Sequence, residues 1–177
     1  MTSNTIEINR APVMTLWAAV VAERLGYDEQ AALTLGKSVA GLNAQSKGQR
    51  LGIYEEPEEK EAKARPEKER VPGEKTYVNL LGRSVPAVYT KDGLRALDKD
   101  KPGSPRSVQR YLAGKFKENL PDVRAAMQSL AESMSPDELS RRAYSLYEQF
   151  RPEIPQGKRG WGAIGELDLD KIKSLSK

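Results

Sequence analysis

Neither cysteine nor histidine occurs in this chain. Without cysteine there are no disulfide frameworks, zinc ribbons or thiol nucleophiles. Without histidine the commonest general base is missing, and with it the Ser-His-Asp triad and most transition-metal sites. Carboxylate-only and lysine chemistry remain open, but no such constellation stands out. The expectation is a protein with no catalytic activity of its own, no cofactor and no metal. Long apolar runs are missing too. The longest, Leu16 to Ala22, has seven residues, against the roughly 18 or more that a spanning helix needs. No secretory signal is visible, so a cytoplasmic protein without a membrane partner is expected. Phosphate-cradling G-x-x-x-x-G-K-[ST] and nucleophile-elbow G-x-S-x-G runs are absent. Gly160 to Gly165 matches G-x-G-x-x-G in letters alone, because no strand signal precedes it and no long helix opens from it.

What the chain does have is charge, unevenly placed. The stretch Glu55 to Lys75 holds fourteen charged residues of twenty-one and three prolines. It has too little apolar surface to offset the entropy of ordering it. The sequence therefore divides into residues 1–54, a charged Pro-containing flexible linker 55–75, and a basic unit 76–177. Within the last, Arg83 to Lys117 carries nine basic and three acidic side chains. An anionic partner would feel that local excess.

Residues 1–54 read as a helical hairpin. Asn9-Arg10-Ala11-Pro12 is a helix start, with proline in the first turn where its missing N–H costs little. Val13, Leu16, Trp17, Val20, Val21 and Leu25 then recur at three- and four-residue steps, the mark of one buried face. Gly26 ends the helix, and Asp28 caps a second one with the stripe Ala32, Leu35, Val39 and Leu42. That a/d-like stripe can pack on the first helix or serve a protein partner or a second copy of the chain. The spacing of Ala22 and Gly26 also suits a helix-turn-helix, which would turn Thr34, Lys37, Ser38 and Asn43 toward a major groove.

Residues 76–177 read as mostly helical. Tyr77–Leu81 and Val85–Tyr89 form two short extended runs around a turn, a possible β-hairpin whose second run Pro86 demotes to an edge or irregular strand. Thr90 starts a short helix through Leu97, and Asp98–Gly103 is a turn. Ser104-Pro105 opens a better helix with Val108, Tyr111, Leu112 and Phe116 inward and Arg106, Arg110 and Lys117 outward. Two more helices follow, Asp122 to about Met134 and one opened by a Ser135/Glu138 capping box. The second has Leu139, Ala143, Leu146, Tyr147 and Phe150 as its core face. Glu166, Asp168 and Asp170 are too few oxygen ligands for a metal, and Asp170 reads as the cap of a last helix, Lys171 to Leu175.

The fold class expected is thus mainly α, an N-terminal hairpin and a C-terminal helical domain with at most a short β-hairpin. The function expected is nucleic-acid binding, with helix-turn-helix-like binding of DNA as one form of it. Arg83, Arg106, Arg110, Lys115 and Lys117 would meet phosphates. Gln109 and Arg110 would read base edges, since glutamine pairs bidentately with adenine and arginine with guanine. The alternative is a protein-interaction adaptor using Ala32, Leu35, Val39 and Leu42.

Overall fold

A computed structural model of the chain describes residues 5–49, 75–91, 93–98, 101–152 and 164–175. The order is β1 (Thr5–Asn9), α1 (Arg10–Arg24), α2 (Glu29–Gln49), β2 (Lys75–Leu80), β3 (Arg83–Thr90), β4 (Gly93–Asp98) and β5 (Lys101–Pro102). Then come α3 (Pro105–Phe116), one 3-10 turn (Lys117–Asn119), α4 (Leu120–Glu132), α5 (Pro136–Phe150), β6 (Ile164–Asp168) and α6 (Leu169–Leu175). The linker expected over 55–75 lies outside the described residues, except that Lys75 opens β2.

The centre is α1. Every residue from Pro12 to Ala22 is buried, not only the stripe visible in the sequence, because α2, α3, α4 and α5 all pack on this helix. A helix apolar on all sides belongs in a core. Its one polar residue there, Thr15, returns its hydroxyl to the Ala11 carbonyl at 2.9 Å. Trp17 donates its indole N–H to the Ala143 carbonyl of α5 at 2.9 Å. Its ring meets that of Phe150 edge to face, at 5.3 Å between centroids and 89° between planes. Burying an aromatic ring contributes about 2–3 kcal/mol, and the edge-to-face contact adds about 1.

The expected fold class is corrected by the sheets. β2, β3, β4 and β5 form one four-stranded antiparallel sheet, and β1 and β6 form a second, two-stranded one. The chain is not an N-terminal hairpin followed by a helical domain. Side chains from Ile8 to Ile172, on both sides of residues 50–74, belong to one core. The helix expected from Thr90 to Leu97 is strand β4. Its backbone is claimed by β3, with Ala87 opposite Ala96 and Thr90 opposite Gly93. It is claimed also by α2, where the Thr34 hydroxyl accepts the Ala96 N–H at 3.0 Å. Local propensity yields to such partners.

Pro86 sits in a middle strand rather than at an edge. The β3–β4 ladder begins at Ala87, one residue beyond the proline, so its missing N–H breaks no bond. The two-residue turn Leu81-Gly82 has positive φ at both positions, 50° and 76°, which matches the twist of the hairpin it closes.

Helix starts follow their capping chemistry. Asp28 Oδ1 accepts Ala31 N–H at 2.8 Å, Ser104 Oγ accepts Ser107 N–H, and Ser135 Oγ accepts Glu138 N–H. The Glu138 carboxylate meanwhile pairs with Arg142 one turn on, at 3.0 Å. The last helix is capped by Asp168, whose Oδ1 takes the Asp170 N–H at 2.9 Å, not by Asp170. That shift by two residues follows from β6, which pairs with β1 through Asp168 opposite Thr5 and so ends the strand there.

Candidate nucleic-acid interface

Helix α3 is held by one face and shows the other to solvent. Val108, Leu112 and Phe116, four residues apart, are buried and anchor it in the core. Tyr111 is half-buried beside them, and the Lys37 ammonium of α2 lies over its ring, 5.2 Å from the centroid. Outward, Arg106, Gln109, Arg110, Ala113 and Gly114 are exposed. At 100° per residue, Arg106, Arg110 and Ala113 fall within about a sixth of a turn of one line, with Gln109 on one shoulder. Arg106 and Arg110 are one turn apart, about 6 Å along the axis.

Lys117 follows just past the end of the helix. Its backbone has φ 54° and ψ −132°, a region that costs a non-glycine residue about 1 kcal/mol or more. Its side chain is exposed. Lys115 is exposed too, but helical spacing puts it on the Tyr111 side, roughly half a turn from the arginines. Among the described residues, Arg106, Arg110, Lys115 and Lys117 have no carboxylate partner. Beyond them the sign changes, with Glu118 and Asp122 exposed on the next turns.

Arg83 is not brought to this face. It opens β3, is half-buried and interacts within the chain. Thr34 is 2% exposed, and its hydroxyl is spent on the Ala31 carbonyl and the Ala96 N–H. It is therefore turned to β4, not to a groove. Ser38 is half-exposed, and the Asn43 side chain lies outside the described residues. Ala32, Leu35 and Val39 are fully buried in the chain's own core, and Leu42 packs against that core. Lys37 lies over Tyr111, on the Lys115 side of α3 rather than on the arginine face, a neighbourhood 74 residues apart in sequence that no local spacing announces.

The opposite charge gathers elsewhere. A cleft of about 270 Å³ between α1 and α4 is lined by Val20, Glu23, Arg24, Gln128, Ala131 and Glu132. Arg24 is committed there as a cap for α4, donating to the carbonyls of Ala131 at 3.3 Å and Met134 at 2.8 Å. Burial pushes the Glu23 carboxyl up; Arg124 opposes this, and Glu29 and Asp28 add to it. No group of three or more potential metal ligands occurs among the described residues. No helix among them is long and apolar enough to cross a membrane.

No protein-family model matches this sequence, and no curated protein or solved structure matches it significantly.

Proposed function

We propose that the chain is a non-catalytic nucleic-acid-binding protein that lays the outer face of α3 along a phosphate backbone. The observation that carries this reading is the exposed pair Arg106 and Arg110, unpaired within the described chain and fixed on a helix anchored by its opposite face, with exposed Lys117 just past the helix end. Guanidinium groups suit phosphate because their donors form a fork that grips two oxygens. Small residues between the cations, Ala113 and Gly114, let a bulky polyanion come close to the helix. Gln109 and Arg110 are placed to touch base edges once the backbone is engaged. The compartment that goes with this role is the cytoplasm.

Fluorescence anisotropy with labelled duplex DNA, single-stranded DNA and RNA across a salt series tests the proposal. Three or four phosphate contacts give a log–log salt slope of roughly −3. Arg106→Glu/Arg110→Glu, both on the exposed face, should fold normally and abolish binding. Absence of binding by the wild type at low salt would overturn the proposal.

A further inference from the structure

Helix α3 is divided lengthwise into a buried half and an open half. Val108, Leu112 and Phe116 fill the first. Seven of its twelve residues are exposed, so the helix stands clear of the core over about half its circumference. At 100° per residue, Arg106 and Lys115 lie about half a turn apart, at the two borders of the open half. Arg110 and Gly114 fall on the arc between them. The Lys115 border is reinforced from α2 by Lys37, which is exposed and sits 5.2 Å from the centre of the Tyr111 ring. Cations thus flank the open half on both sides, and α3 contains no acid. Among the described residues, Arg106, Arg110, Lys115 and Lys37 have no carboxylate partner.

Gly114 adds an independent observation. A Cβ there would meet nothing within 4 Å, so packing among the described residues does not call for glycine. Its φ is not positive, so no turn calls for it either. Glycine inside a helix costs stability relative to alanine. What a bare backbone at this place provides is close approach for something large arriving from outside.

Building on the proposed role of α3, we infer that its target is double-stranded DNA, with the open half of the helix in the major groove. Arg106 meets the phosphates of one strand, and Lys115 with Lys37 those of the other. A helix with its side chains is about 10–12 Å across and the B-form major groove about 12 Å wide, so cations half a turn apart reach opposite walls. Arg110, on the arc between, is turned toward the groove floor, where guanine presents two acceptors. A single strand has one backbone and would leave one border of the helix idle. The major groove of an RNA duplex is too deep and narrow for side chains to read.

The test is anisotropy of the full chain with three labelled probes of equal length, duplex DNA, single-stranded DNA and duplex RNA, across a salt series. Duplex DNA should bind about tenfold tighter than either other probe, with a log–log salt slope steeper by about two than the single strand gives. Lys37→Gln/Lys115→Gln should remove that excess slope and leave single-strand binding unchanged. Lys115→Gln alone, which keeps the contact between Lys37 and Tyr111, should remove about half of it. Gly114→Leu, uncharged and a better helix former, should melt no lower than the wild type and lose the preference for duplex. Equal affinity for single-stranded DNA or duplex RNA, an unchanged duplex slope in the double lysine variant, or an unaltered preference in Gly114→Leu would each overturn the inference while leaving α3 a nucleic-acid surface. Absence of binding to every probe would overturn that surface and the inference with it.

Discussion

Gly36 of α2 lies against the Thr15 carbonyl of α1 so closely that a Cβ there would run into that oxygen and stand 3.0 Å from the Ala19 nitrogen. Both obstacles are backbone of the central helix, which cannot swing aside. Gly36→Ala should therefore destabilise the fold by about 1–3 kcal/mol, despite the better helix propensity of alanine. Gly41, one turn further and exposed, has nothing within 4 Å of the same position. Gly41→Ala should stabilise by about 0.5–1 kcal/mol. Urea midpoints of the two variants should move in opposite directions; movement in the same direction would refute the close crossing.

Lys117 offers a comparison between stability and binding. Its positive φ of 54° is one that glycine adopts without strain. Lys117→Gly should raise stability by about 1 kcal/mol and weaken nucleic-acid binding, with the salt slope shallower by about one. A stabilised variant with unchanged salt slope would remove Lys117 from the interface.

How much of this could be read from the sequence follows the range of each interaction. Asp28, Ser104 and Ser135 cap helices through bonds three residues long, and all were legible. The α3 anchors and cations were legible for the same reason, since one helix repeats its own faces. Strand β4 was not, because Gly93 to Asp98 becomes a strand only when β3 and Thr34 accept it. Nor was the full burial of α1, where Ala18, Ala19 and Ala22 gain meaning from the helices around them. Lys37 over Tyr111, and Arg10 at the Pro152 carbonyl, depend on packing between distant segments, which no periodicity encodes.

The two-stranded sheet contains a conflict of charge. Glu7 of β1 lies directly opposite Glu166 of β6, and both are exposed. Like charges in a cross-strand pair oppose each other, whereas opposite charges attract, so Glu166→Lys should stabilise by about 0.5 kcal/mol. The gain should fade in 1 M salt, where screening shortens the range of the field to about 3 Å. A gain that persists at high salt would point to packing of the lysine stem rather than charge.

Glu23 sets the expected response to pH. Its carboxyl is pushed above the ordinary 4.5, first by burial beside the α1–α4 cleft, against the pull of Arg124. The native state thus holds this proton more tightly than the unfolded chain does. That favours folding fully below about pH 4.5, and the benefit is lost as pH rises through the native value. Glutamine keeps the shape and cannot ionise. Relative to wild type, Glu23→Gln should gain stability as pH climbs from 4 to 7 and then level off. Arg124→Gln should push the Glu23 carboxyl higher still and extend the sloping range upward, because the opposing cation is gone while Glu29 and Asp28 remain. Denaturation midpoints at half-unit pH steps would show this. A constant offset between Glu23→Gln and wild type across that range would mean that Glu23 ionises natively as it does in the unfolded chain, and that the cleft does not exclude water from its carboxylate.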